Sequence, residues 1–312
     1  MALSGVYALT STFDDIAQEV MELLQVVGDG ETITAAMKAK IKPTLNLMIK
    51  AWEGQGIHLW TFTEGTLFLN VAKSEYDLTS NLVHAANTWY ETTLTQDEVL
   101  GAGTITVSNA TDISNGDSIG IIDANNDLFW TTVNGAPAGN VVTLSMTLPT
   151  AVTSGSIVFN YTDSIIPVRR VLDVRRRESN DYEIPITFAS RKDYFNLPNK
   201  NSLGLPIQAY YSRQETQGIF YVWTAPSQAT SVINFTYERE TQIIDGDTNN
   251  FDIPSYWLEA VAYNLADRLT FKFSCSPERK QMIKADALQY LNDALSFDDA
   301  VYPITVEIQQ NG

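Results

Sequence analysis

The sequence contains few of the residues that build disulfides, metal centres and histidine-based active sites. Among 312 residues there is one cysteine, Cys275, and there are two histidines, His58 and His84. A single cysteine cannot close a disulfide within the chain, and so few thiol and imidazole groups are too few ligands for most zinc sites. We therefore expect no metal, no cofactor and no catalytic triad, and we predict that the protein is not an enzyme.

Positive charge is scarce as well. The chain carries 20 Lys and Arg against 37 Asp and Glu, which gives a formal net charge of −17. A surface this acidic repels phosphate groups, which argues against tight binding to nucleic acid or to an anionic membrane. The first fifteen residues contain no Lys or Arg ahead of an apolar run, so we expect no signal peptide and a product of the cytoplasm.

The absence of basic residues is most marked between Lys73 and Arg169, a stretch that contains ten acids and no Lys or Arg. From Leu128 to Thr162 no charged residue occurs, but Gly, Pro and Asn interrupt this run too often for a membrane span. Short β-rich runs alternate here with turn residues such as Asn-Gly. The pattern predicts a small all-β module, a barrel or a sandwich, inserted over residues 98–163.

Helical patterns occur on both sides of this module. Apolar residues at i, i+3, i+4 and i+7 run from Phe13 to Val27 after an N-cap at Ser11 or Thr12, and from Thr32 to Gly54 with Pro43 inside. Two further patterns begin at Tyr256 or Trp257 and at Ser276-Pro277. The apolar stripe of the last helix comprises Ile283, Ala287, Leu288, Leu291, Ala294 and Leu295. Because each apolar stripe must be buried, we predict an α+β fold whose N- and C-terminal helices form a four-helix bundle.

The remaining segments complete the predicted domain organisation. Strand-like runs on both sides of a Thr-Glu-Gly sequence at 63–65 predict a hairpin after the second helix, and further strands follow the inserted module, with a short helix at Arg191–Leu197. The predicted parts are a helical bundle (1–57 and 252–298), a β-rich platform (58–97 and 164–251), the inserted module (98–163) and an extended C-terminal tail (299–312).

Two motifs match functional patterns only in part. Gly116-Asp-Ser-Ile-Gly120 fits the nucleophile elbow of serine hydrolases, but a strand rather than a helix follows Ser118, and no histidine lies downstream. Asp123, Asn125 and Asp127 fit the first ligand positions of an EF-hand loop, but Leu128 stands where that loop needs glycine. Ordinary β-turns explain both patterns better, and a serine hydrolase remains a remote alternative.

The only concentration of basic residues comprises Arg169, Arg170, Arg175, Arg176 and Arg177. On a strand, Arg175 and Arg177 face one side and Arg176 the other, so no continuous basic face results. We predict that these arginines form intersubunit or intramolecular salt bridges, or contacts at the rim of a channel. The aromatic clusters Trp89-Tyr90, Tyr210-Tyr211 and Tyr221 with Trp223 leave open a second function, a carbohydrate-binding or adhesin-like β module.

Several strings of residues resemble the head-to-tail adaptor, or connector, proteins of short-tailed bacteriophages, a family related to the packaged-DNA stabilisation and tail tubular A proteins. The strings are Leu45-Asn-Leu-Met-Ile-Lys-Ala-Trp52, Phe129-Trp-Thr-Thr-Val-Asn-Gly-Ala-Pro137, Asp193-Tyr-Phe-Asn-Leu-Pro-Asn199 and Pro254-Ser-Tyr-Trp257. The resemblance implies a structural virion protein at the head–tail junction, assembled in the host cytoplasm. Such proteins form a ring, most often of twelve copies, which joins the portal protein to the tail nozzle and tail fibres.

The charge and the C-terminal residues agree with this expectation. An acidic wall around a pore repels DNA and lets it slide during ejection, so we expect DNA to pass without sequence-specific binding and we expect no membrane partner. The tail, 299–312, alternates apolar and polar residues, which suits strand addition to a partner. We predict that it fastens the ring to the portal protein through Val301, Tyr302, Ile304, Val306 and Ile308.

Overall fold

The computed structural model describes residues 9–28, 30–57, 61–79, 84–214 and 218–299. The chain divides into two compact units, of which unit 1 comprises Met1–Trp60 with Thr241–Gly312 and unit 2 comprises Thr61–Glu240. Within the described residues, no helix is both long enough and apolar enough to cross a lipid bilayer.

Unit 1 contains the long helices. They are α1 (Phe13–Leu23), α2 (Ala35–Gly54), α4 (Leu258–Leu269) and α5 (Pro277–Asp299), with a 3-10 turn at Ser255–Trp257, and the short helix α3 (Arg191–Phe195) belongs to unit 2. Thr12 caps α1, because its side chain accepts a hydrogen bond from the backbone N–H of Asp15 and the Asp15 carboxylate accepts one from that of Thr12. Pro43 lies inside α2 without ending it.

The core of unit 1 lies around α4, which packs against α1, α2 and α5. Leu45, Trp52, Trp257 and Leu265 are buried in this core, and the rings of the two tryptophans lie 5.8 Å apart. Residues that follow the last strand, among them Ile244, complete it.

The predicted α+β fold with a four-helix bundle is wrong. The chain is β-rich, with several separate sheets and five α-helices among the described residues. The helices of unit 1 do not form the regular bundle, because α1 and α4 span only 11 and 12 residues against 20 and 23 for α2 and α5. Instead, α1, α2 and α5 each bury apolar residues against the short helix α4.

Outside its inserted barrel, unit 2 contains two larger sheets, in which most neighbouring strands are antiparallel, and a separate two-stranded sheet. The five-stranded sheet has the order β11-β10-β17-β1-β3, the four-stranded sheet the order β12-β14-β15-β2, and β13 pairs with β16. The strands are β1 (Phe62–Phe68), β2 (Glu75–Asp77), β3 (Ala85–Ala86), β10 (Val168–Arg177), β11 (Glu183–Pro185), β12 (Thr187–Phe188), β13 (Leu203–Gly204), β14 (Gln208–Arg213), β15 (Gly218–Trp223), β16 (Ala225–Pro226) and β17 (Val232–Arg239).

The predicted hairpin at residues 63–65 is wrong, because β1 runs straight through Gly65 and pairs with β17 along its whole length. A Cβ atom at Gly65 would lie 2.6 Å from the Cδ1 atom of Ile165. The glycine therefore marks a close approach of a neighbouring side chain to the strand and not a turn.

A small barrel is inserted between β3 and β10. Its strands are β4 (Tyr90–Thr93), β5 (Thr104–Thr106), β6 (Ser118–Ile122), β7 (Leu128–Thr132), β8 (Val141–Thr143) and β9 (Ile157–Tyr161). One sheet has the order β4-β9-β6-β7 and the other consists of β5 and β8. Bridges at Leu94–Val107 and Val133–Leu144 join the two sheets on both sides, which closes a ring of six strands and leaves few exposed edges.

Candidate functional site

The predicted portal-binding residues, Val301, Tyr302, Ile304, Val306 and Ile308, lie outside the described residues. Their role therefore stays a prediction.

All five clustered arginines lie on β10, and three of them are within reach of carboxylates from other strands of the same sheet. Glu238, which is 2% exposed, accepts from Arg169 at 2.6 Å and lies 3.4 Å from Arg170. Arg175 lies 2.8 Å from Glu64 and 3.5 Å from Glu183. The hydrogen bond to Glu64 is the main reason that the pKa of Arg175 is raised above its usual value.

The other two arginines are held by carboxylates that follow β10. Arg176 is buried, and it donates to Glu178 at 2.6 Å and to the carbonyl oxygen of Pro206 at 2.7 Å. Arg177 pairs with Asp181, and its guanidinium lies 4.9 Å from the ring centre of Trp89. The structure thus shows intramolecular salt bridges for all five arginines, while contacts with another subunit or with a channel stay a prediction.

The two partial motifs lie in the barrel. Ser118 is the first residue of β6, where it pairs with Thr132 on β7 and Tyr161 on β9, and no helix follows it. The Asp123 carboxylate accepts hydrogen bonds from the backbone N–H groups of Asn125 and Asp127, at 2.8 and 3.0 Å. Its second oxygen accepts from Thr150 at 3.0 Å. The described residues contain no group of three or more His, Cys, Asp or Glu side chains arranged to hold a metal ion.

Trp89 and Trp130 pack inside unit 2, where the barrel meets the five-stranded sheet. They belong to a buried aromatic cluster with Phe68, Phe159 and Tyr161. The His84 ring stacks on Trp130 with 3.9 Å between ring centres, and its Nδ1 atom lies 2.6 Å from the Tyr161 hydroxyl. Burial, with a smaller effect of the charge on Lys73, lowers the pKa of His84 to about 4.

The tyrosines of β14 and β15 also pack within the protein. Tyr210 and Tyr221 stack with 5.7 Å between ring centres, and both contact Tyr194 of α3, which is 1% exposed. These rings hold α3 against the four-stranded sheet. The aromatic residues of these two structural clusters are therefore used for packing within unit 2.

The barrel is the most one-sided part of the charge distribution. Between Tyr90 and Tyr161 there are seven acids and no Lys or Arg. Six of the seven have exposed or half-exposed side chains, and Asp117 alone among them is buried. The surface of the barrel therefore carries negative charges and no positive charge from Lys or Arg.

The sequence pattern missed a surface on α5. It grouped Leu288 with Ile283, Ala287 and Ala294 in one buried stripe, yet Leu288 is 62% exposed while the other three are buried. Met282 and Phe297, at 66% and 58% exposure, are exposed apolar residues on other sides of the same helix. The signal that could have revealed it is the presence of apolar residues on more than one side of the helix, since a helix buried on one face needs only one stripe.

Comparisons with known proteins give little information. No protein-family model matches this chain, and no curated protein matches it. Among solved structures, the Gp54 tailspike of Acinetobacter baumannii bacteriophage AP22, in complex with A. baumannii capsular saccharide, is 17% identical with a TM-score of 0.22. The tailspike gp61 of Pseudomonas phage phi297 is 22% identical with a TM-score of 0.21. Each match covers 23% of this chain and 14% of the tailspike, and likeness at this level carries no argument about fold or function.

Proposed function

We propose that this protein is a structural component of a phage virion, a head-to-tail adaptor that forms a dodecameric ring between the portal protein and the tail nozzle. The ring continues the DNA channel and carries the tail nozzle and fibres. It performs no catalysis, and DNA passes through it without sequence-specific contacts.

The observation that supports this function best is the acidic barrel without a basic residue. A ring repeats this barrel in every copy, so the carboxylates of neighbouring copies add to one negative potential around the axis. At physiological ionic strength the potential of an exposed charge extends about 8 Å, which is enough to keep phosphates away from a wall that carries many of them. A conduit for DNA needs such repulsion, whereas a protein that grips DNA needs cations.

The arginines of β10 agree with this proposal. Each has a carboxylate partner within unit 2, which reduces its attraction for phosphate. The positive charges of the β10 arginines are therefore balanced by carboxylates of the same unit. Salt bridges of this kind leave the acidic barrel as the dominant electrostatic feature of unit 2.

Two measurements on the full chain test the proposal. Electron microscopy of the protein mixed with purified portal rings should show an added ring on one end of the portal. Fluorescence anisotropy with a duplex DNA should show no binding at physiological salt. The matched control replaces three exposed barrel acids with lysine, Asp97→Lys, Asp112→Lys and Asp127→Lys, and this variant should bind DNA in a salt-dependent way.

Failure to associate with portal rings would contradict the adaptor role. Salt-dependent binding of DNA by the wild-type chain would contradict the role of the acidic barrel. The control shows that the DNA assay detects weak electrostatic binding when basic residues are present.

A further inference from the structure

Helix α5 is buried against α4 along one side only. Ile283 and Ala294 belong to the core of unit 1, and Ala287 is buried beside α4, where its carbonyl oxygen accepts a hydrogen bond from the Asn264 side chain at 2.9 Å. The other side chains from Pro277 to Phe297 are exposed or half-buried. Two flanks of the helix, one on each side of this contact, are therefore available to other molecules.

The first flank is defined by Lys284 and Leu288, and we name it the basic flank. Both residues line a groove of about 440 Å³ between α4 and α5, together with Ala285 and Leu291 of α5. Asn264 and Asp267 of α4 form the opposite wall. Lys284 is the only cation of this groove and has no ion-pair partner among the described residues.

The second flank is defined by Asp293 and Phe297, and we name it the acidic flank. Both residues border a recess of about 260 Å³, which Tyr256 and Glu259 also line. The rings of Phe297 and Tyr256 contact each other with 4.7 Å between their centres, and Phe297 is still 58% exposed. An exposed aromatic side chain thus stands beside two carboxylates.

The two flanks have the same spacing and opposite charge. Lys284 and Leu288 are four residues apart, as are Asp293 and Phe297, so each pair places a charge and an apolar group one turn apart on one side of the helix. Lys284 precedes Asp293 by nine residues, and Leu288 precedes Phe297 by the same number. Nine residues are two and a half turns, so that the two pairs lie on opposite sides of α5.

This arrangement fits a second copy of the same chain. A surface that carries complementary patches on opposite sides makes head-to-tail contacts, which generate a closed ring when the rotation between copies allows closure. Copies with a net charge of −17 repel each other over most of their surface, so their contact must place the available cations opposite acids. We infer that neighbouring subunits join through α5, with the acidic flank of one copy seated in the groove of the basic flank of the next.

In this contact, Phe297 of one copy lies against Leu288 and Leu291 of the next, and Asp293 approaches Lys284. The inference rests on the proposed function, because it names the self-contact of the ring. It leaves the portal attachment to the C-terminal tail.

Charge reversal tests the contact directly. Lys284→Glu and Asp293→Lys each place two like charges in every interface, and each should weaken assembly about tenfold or more. The double variant Lys284→Glu/Asp293→Lys in one chain restores opposite charges and should restore assembly, as should an equimolar mixture of the two single variants. The readout is the mass of the particles by native mass spectrometry, with and without purified portal rings.

The apolar half of the contact has its own variants. Leu288→Ser and Phe297→Ser should each reduce assembly and leave the melting temperature of the monomer nearly unchanged, because both side chains are mostly exposed. Glu278→Gln and Glu278→Lys change the charge at an exposed position in the first turn of α5, outside both flanks, and should leave assembly unchanged.

The outcomes separate this inference from the proposed function. The inference alone would be overturned if rings form and bind portals equally well with each of the four flank substitutions. It would also be overturned if the double variant does not recover assembly. Rings that respond as expected but never bind portals would contradict the adaptor role alone. A wild-type chain that stays monomeric with and without portals would overturn both.

Discussion

Two tryptophans occupy the centre of unit 1 and connect α2 with the start of α4. Trp257 has no exposed surface, Trp52 is 3% exposed, and their rings lie 5.8 Å apart. Large aromatic side chains bury more apolar surface than other residues, so that their removal leaves a cavity that the neighbouring helices cannot fill.

We predict that Trp257→Ala lowers the free energy of unfolding by about 3–5 kcal/mol. The control is Leu47→Ala on α2, where the side chain is 69% exposed and the change should be within about 0.5 kcal/mol. Urea denaturation followed by circular dichroism measures both values. Equal, near-zero effects of the two substitutions would contradict the described core.

His84 gives the cluster between the barrel and the five-stranded sheet a pH dependence. Its folded pKa of about 4 lies below the value of 6.5 for the free side chain, because burial disfavours the charged form. Between these two pH values the unfolded chain binds a proton that the folded chain does not bind. Stability from this group is thus fully present above pH 6.5 and is lost as the pH falls.

The melting temperature of the wild type should therefore fall between pH 6.5 and about 4.5, and part of this fall should be absent in His84→Gln. Measuring the difference between the two proteins at each pH removes the contribution of the carboxylates, which titrate in both. Parallel pH profiles of the two proteins would show that His84 is not held in its neutral form.

Helices and strands with a strong local signal were predictable from the sequence. Thr12 caps α1 as one of the two predicted N-caps, and α3 begins at Arg191 as predicted. Features that depend on contacts between distant segments were not predictable. Gly65 has the sequence context of a turn, yet it lies within β1 because the side chain of Ile165 needs the space above it.

The arrangement of the helices was not predictable for a similar reason. Apolar periodicity shows that a helix has a buried face, but it does not show which helix covers that face. The pattern on α5 contained Leu288 as well as Ile283, and only the position of α4 separates the exposed residue from the buried one. Likewise, the arginines of β10 were visible in the sequence, whereas the partners from β17 and β1 follow from strand register.

The pairing of β10 with β17 depends on a charged group that is almost fully buried. Glu238→Gln removes the negative charge that faces Arg169 and Arg170, and should cost about 1.5–3 kcal/mol of stability. Glu64→Gln is the control, since its side chain is 70% exposed and its pair with Arg175 should contribute at most about 1 kcal/mol. Similar small effects of both substitutions in thermal unfolding would show that Glu238 does not stabilise the sheet.

At the scale of the whole molecule, assembly and portal attachment are assigned to different segments. We propose that α5 makes the self-contact and that residues 299–312 bind the portal protein. Because the two functions are proposed for separate segments, a change in one segment should remove one function and leave the other intact.

Deletion of residues 299–312 should therefore abolish binding to portal rings and leave the melting temperature nearly unchanged. Circular dichroism and sedimentation of portal mixtures measure the two properties on the same preparation. Unaltered portal affinity of the shortened chain would move the attachment site to another part of the protein.

The central claim, that this protein works as a ring on a portal, is tested most directly by the mass of the particles in solution. Light scattering should be measured on the purified full chain alone and after mixing with purified portal rings. The account predicts a particle whose mass exceeds that of the portal ring by a whole number of 34.6 kDa chains, with twelve as the expected number. A portal peak of unchanged mass beside a 34.6 kDa monomer would contradict it.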